Sequence, residues 1–113
     1  MEIGVIEAYK NYVNLRYRHW PERAWHEQWD GKLIKAAEKL LDANILVDHI
    51  ERTGCFHILP GSWTVEHIEA LLGKGVVRDV VWLRFSKRYR VILNTDVLGM
   101  RFPIGSLTKV RRV

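Results

Sequence analysis

Val80-Val81-Trp82-Leu83-Arg84-Phe85-Ser86-Lys87-Arg88-Tyr89-Arg90-Val91-Ile92-Leu93 is the stretch on which the fold turns. β-Branched and aromatic residues flank a polar corner, the pattern of a β-hairpin. A strand alternates its side chains between two faces, so polarity argues for a register. Phe85 opposite Val91 sets Leu83 opposite Leu93 and gathers Val81, Leu83, Phe85, Val91 and Leu93 on one apolar face. This predicts strands over 80–85 and 89–93 with a loop of odd length. An even loop pairing Phe85 with Arg90 puts that arginine on the apolar face instead. The opposite face then carries Trp82, Arg84, Arg90 and Ile92, with Lys87, Arg88 and Tyr89 at the tip. Beyond the hairpin, Leu98, Met100 and Phe102 predict a third strand stopped by Pro103 and Gly105.

Upstream the period changes. Ile6, Tyr9, Val13, Tyr17 and Trp20 recur three or four apart and predict a helix from residue 2 to about 18, although Val13, Leu15 and Tyr17 also alternate as a strand would. Pro21 suits the first position of a short helix that sets Trp25 and Trp29 on one face. Asp30 is placed to cap the next helix, whose Leu33, Ala37, Leu40 and Leu41 form an apolar stripe. Asn44 is a natural terminator of it. Ile45 to Arg52 can continue that helix past Asn44 or form a strand turning at Thr53-Gly54 into Cys55 to Leu59, and the clustered β-branched and aromatic residues favour two short strands. After Pro60-Gly61-Ser62, Thr64 caps a helix that presents Val65, Ile68, Leu71 and Leu72 inward and ends at Gly73 or Gly75.

The net charge of +5 conceals a segregation. Residues 1–73 hold eight Lys and Arg against eleven Asp and Glu. Residues 74–113 hold ten basic residues (Lys74, Arg78, Arg84, Lys87, Arg88, Arg90, Arg101, Lys109, Arg111 and Arg112) against Asp79 and Asp96 alone. Such a field draws polyanions over about a Debye length, ~8 to 10 Å in physiological salt. Lysines and arginines bind phosphates by releasing condensed counterions, while an exposed Trp82 or Tyr89 can stack on an unpaired base.

At 113 residues, 48% hydrophobic and 27% charged, the chain suits one folded domain over 1–113 and excludes most enzymes built on a two-domain cleft. It has one cysteine, Cys55, so no internal disulfide can form, which fits an intracellular, cytoplasmic setting. No apolar run approaches the ~20 residues of a membrane span, and the N-terminus does not read as a signal peptide.

The remaining constellations are weaker. His49, Cys55, His57, His67 and Asp48 offer zinc-type donors, but their intervals match no standard pairing, so no metal or other cofactor is expected. No nucleophile elbow, phosphate-binding glycine loop or metalloprotease string occurs. His26 and His67 lie near Glu22, Glu27, Glu66 and Glu69, as helix surfaces commonly arrange. Three helices before a basic hairpin is also the order of a winged-helix module. Its groove-entering helix, however, would be Thr64 to Ala70, which carries Glu66 and Glu69 and no Lys or Arg. Trp20, Trp25 and Trp29 mark either a helix anchored in the core or a protein-docking surface.

The expected architecture is α+β, with N-terminal helices on a small antiparallel sheet formed mainly by the C-terminal third. The expected function is non-catalytic nucleic-acid binding as an accessory protein, without distinction between RNA and DNA. Trp82, Arg84, Lys87, Arg88, Tyr89, Arg90, Arg101, Lys109, Arg111 and Arg112 are its expected contacts. A protein-interaction or inhibitor module comes second, using the basic sheet against an acidic partner or the tryptophan cluster. A small metal-dependent hydrolase comes third.

Overall fold

Helix α1 (Ile3–Tyr17) buries Ile6, Tyr9 and Val13, the row its spacing predicts. In the computed structural model, which describes residues 3–20 and 24–101, the chain then meets a π-type turn, Glu27–Gly31, and passes directly into α2 (Lys32–Asp42). The N–H groups of Asp30 and Gly31 both donate to the His26 carbonyl, at 2.7 and 3.2 Å. No helix carries Trp25 and Trp29 on one face: residue 26 is extended, and Pro21 lies outside the described residues.

The stripe of α2 is as the sequence implies, with Leu33, Ala37 and Leu40 fully buried and Leu41 half-buried. Asn44 ends the segment in the left-handed region, φ 63°, which asparagine tolerates better than most residues. Strands β1 (Val47–Glu51) and β2 (Cys55–Ile58) form a hairpin closed by Gly54, whose N–H reaches the Glu51 carbonyl at 2.9 Å. Helix α3 (Val65–Leu72) is capped as expected, the Thr64 hydroxyl accepting the His67 N–H at 3.0 Å. Strands β3 (Val77–Leu83) and β4 (Arg88–Leu93) complete an antiparallel sheet in the order β1-β2-β4-β3. The class is α+β, and the sheet takes two strands from the middle of the chain as well as two from its last third. No helix of the described residues is long and apolar enough to cross a membrane.

The helices pack on one face of the sheet. Phe56 and Ile58 of β2 and Val91 and Leu93 of β4 are buried there together with Leu33, Leu40 and Ile68 from the helices. The register slips by one residue between Val47 and His49, and again between Val77 and Asp79. Each slip inserts an extra residue, so Val47 and Ile50, three apart, both point into the core, and Val77 and Val80 likewise pack against it. Truncating Phe56 to alanine is expected to cost about 3–5 kcal/mol.

The β3–β4 register differs from the expected one. Leu83 pairs with Arg88, so the loop is Arg84-Phe85-Ser86-Lys87, of even length, with Lys87 at φ 57°. Val81 pairs with Arg90 and Trp82 with Tyr89. The core face therefore carries Val80, Trp82, Tyr89, Val91 and Leu93, while Val81, Leu83, Arg88, Arg90 and Ile92 take the outer face. Phe85, expected in the core, is 95% exposed at the tip. Apolar residues on both faces of β3 leave polarity undecided, and Val80 supplies the buried contact that Val81 was expected to make. Residues 95–99 form turns and Met100 follows outside any strand, and Phe102 lies outside the described residues.

Candidate nucleic-acid interface and its neighbours

The outer face of the sheet is a paired electrostatic lattice. Adjacent strands set His49, His57 and Arg90 in one cross-strand row, and Glu51, Cys55 and Ile92 in the next. Glu51 accepts from Arg90 Nε at 2.7 Å and Nη2 at 3.1 Å, and it also bonds His57 Nε2. The Arg90 hydrogen bond, opposed by partial burial and reinforced by His57, brings the Glu51 carboxyl down to about 2. Arg88 Nε donates to Asp48 at 2.9 Å, and its Nη1 donates to the Ser86 and Lys87 carbonyls. The acidic first half of the chain thus neutralises two of the cations expected to grip phosphate.

Trp82 and Arg90 were expected on one face and lie on opposite faces. Their separation follows from the even loop, because shifting a register by one residue exchanges the faces of a strand. Trp82 instead joins an aromatic corner at the end of the core face. Its ring lies 4.7 Å from that of Tyr89, which meets Trp63 edge-on at 5.4 Å. Trp63 is fixed by its Nε1–H to the Leu59 carbonyl at 2.8 Å. Trp82 stays 46% exposed. The loop beside it presents Phe85 with the Arg84 guanidinium 5.7 Å from its ring centroid. Among the described residues, neither Arg84 nor Lys87 has a carboxylate partner. Arg101 lies elsewhere, its N–H held by the Gln28 carbonyl at 3.0 Å, and Lys109, Arg111 and Arg112 lie outside the described residues.

The structure brings Trp82 and Tyr89 together, sets Arg84 and Lys87 in the loop that joins their strands, and pairs Arg88 and Arg90 with carboxylates, while the sequence reading did not single out Phe85 or Trp63 for this surface. A four-residue polar turn around Phe85 was the available signal for the first; nothing local marks the second.

Asp30 does not cap α2. Its carboxylate, fully buried, turns inward and accepts from Tyr9 Oη at 2.6 Å, Arg52 Nε at 2.9 Å, Arg52 Nη2 at 2.7 Å and the His26 N–H at 2.9 Å. Burial, then the hydrogen bond to Asp30, pushes the Tyr9 hydroxyl above the ordinary phenol range. Burial works against the Arg52 charge, but the Asp30 contacts outweigh it, and the guanidinium lies 4.5 Å from the Tyr17 ring centroid. Trp29 donates its Nε1–H to the Arg52 carbonyl at 2.7 Å. Trp25 and Trp29 pack half-buried against the core, whereas Trp20 is largely exposed.

No three His, Cys, Asp or Glu among the described residues are grouped to hold a metal ion. Cys55 shares the outer face with His57, and burial raises the thiol above its ordinary range. The chain matches no family model, no curated protein and no solved structure.

Proposed function

We propose that the protein is an intracellular accessory protein that binds single-stranded nucleic acid, without catalysis, through the β3–β4 tip and the aromatic corner behind it. The observation that carries this reading is Phe85, 95% exposed on the loop between Arg84 and Lys87 that follows β3, the strand that carries a half-exposed Trp82. An aromatic face flanked by cations without carboxylate partners among the described residues is what unpaired bases and their phosphates require. Duplex is disfavoured because stacking needs splayed bases. Arg88 and Arg90 are excluded from the contact set, since their guanidinium groups are committed to Asp48 and Glu51.

The test is fluorescence anisotropy with labelled single strands of about 12 nucleotides, as RNA and as DNA, across a salt series. Phe85→Ala and Trp82→Ala should each weaken binding about 5- to 150-fold, the equivalent of ~1–3 kcal/mol per stacked base. Arg84→Gln and Lys87→Gln should each reduce the slope of log K against log salt by about 0.7. Unchanged binding in both aromatic variants, or a slope unmoved by both charge variants, sinks the proposal. Salt-sensitive binding to an acidic protein but to neither nucleic acid would hand the surface to that class of partner.

A further inference from the structure

One carboxylate on the outer face of the sheet serves two basic groups. Glu51 Oε2 accepts from Arg90 Nε at 2.7 Å and also bonds His57 Nε2, while Oε1 takes Arg90 Nη2 at 3.1 Å. A single negative charge balances a single positive one, and the guanidinium of Arg90 is always charged. Nothing of the Glu51 charge is left over for an imidazolium.

The Glu51 carboxyl sits at about 2, so it stays an ionised acceptor through mild acid, and the hydrogen in its bond to His57 Nε2 is the imidazole's own. In the neutral ring this leaves the lone pair on Nδ1, which has no partner among the described residues and is open to a proton. His49 is exposed directly across the β1–β2 pair, its ring 5.0 Å from that of His57.

With both imidazoles neutral the face is balanced. Counting the bulge residues Asp48 and Arg78, it sets the carboxylates of Asp48, Glu51 and Asp79 against the guanidinium groups of Arg78, Arg88 and Arg90. Cys55, Val81, Leu83 and Ile92 fill the positions between them, and α1 sets the phenols of Tyr12 and Tyr17 beside β1. Each proton taken up by His49 or His57 is therefore a charge that no carboxylate of this face offsets.

We propose that the outer face is a proton-gated extension of the nucleic-acid surface. In mild acid His49 and His57 become charged, and the phosphates of a single strand held at the β3–β4 tip continue onto the row Arg90, His57, His49. Arg90 lies two residues along β4 from Arg88, and the row crosses three adjacent strands, ~10 Å at their ~4.8 Å spacing. That span matches about three phosphates at ~3.4 Å each. The ligand rests on the reading above; what is added is its regulation by imidazole, the side chain whose charge changes between about pH 5 and 8.

The test is anisotropy with a labelled oligothymidylate of about 12 nucleotides, whose bases do not titrate in this range, at about pH 7.5 and about pH 5.5 and matched ionic strength. Acid should steepen the slope of log K against log salt by about 0.7 for each imidazolium engaged, tightening binding about 4- to 15-fold near 0.15 M salt. His49→Gln combined with His57→Gln should abolish that gain and leave binding at about pH 7.5 unchanged, with circular dichroism confirming the fold in both buffers. Should the double variant lose its fold, each single variant is expected to keep about half of the slope change. No binding at either pH, equal affinity and slope at both, or a gain that survives removal of both histidines overturns the proposal. Phe85→Ala separates the two readings. Binding at neutral pH that needs Phe85 but gains nothing in acid sustains the tip and removes the outer face. An acid gain that needs the histidines and ignores Phe85 sustains the outer face and removes the tip.

Discussion

Asp30 and Arg52, 22 residues apart, meet through two hydrogen bonds of 2.9 and 2.7 Å, and the carboxylate between them is inaccessible to water. The pair ties the entry to α2 to the end of β1, and Tyr9 adds α1 to the same oxygen. Removing one partner of such a pair strands the other charge, which costs about 3–5 kcal/mol. Asp30→Ala is therefore expected to lower the urea midpoint strongly. Asp30→Leu combined with Arg52→Met should recover part of that loss, because two apolar groups leave no charge unpaired. Equal midpoints for wild type and Asp30→Ala in urea unfolding contradict this account.

Acid should weaken the fold through Glu51. Its carboxyl sits at about 2 in the folded chain, below the ordinary value of 4.5, so between those values the unfolded state binds the extra proton. The stabilisation is complete above the unfolded value and disappears as pH falls through the folded one. Stability measured by denaturant at stepped pH should decline across that window. In Glu51→Gln the decline should be shallower, with lower stability at neutral pH.

The ends of the helices make a separate prediction. Asn44 holds a left-handed conformation that a β-branched side chain resists, so Asn44→Val should cost about 1–2 kcal/mol. Asn44→Gly should stay close to wild type. Thr64→Ala, which removes the cap of α3, should cost ~1 kcal/mol. Thermal melts followed by circular dichroism check all three.

Elements whose pattern is local were legible from the chain alone. Leu33, Ala37 and Leu40 fix α2 by their spacing, Thr64 announces α3, and Gly54 marks the β1–β2 turn. The β3–β4 register was not, because Val80, Val81, Trp82 and Leu83 are apolar in succession and either face could be buried. Its faces are consistent with a partner 39 residues away, since Arg90 must point outward to reach Glu51. Asp30 misled for the same reason: next to an apolar stripe it resembles a cap, and only the tertiary approach of Arg52 draws its carboxylate inward. The candidate interface was half legible, its aromatic and basic residues being visible and their division between two faces invisible.

The lone sulfhydryl of the chain, Cys55, sits in β2 between β1 and β4 and is almost wholly shielded. Because its side chain projects from the outer face, an electrophile such as a chromogenic disulfide reaches that sulfur once the neighbouring side chains of that face move aside. Labelling kinetics across a denaturant series would thus report the local opening of the sheet's outer face from an endogenous probe, with no reporter group to install.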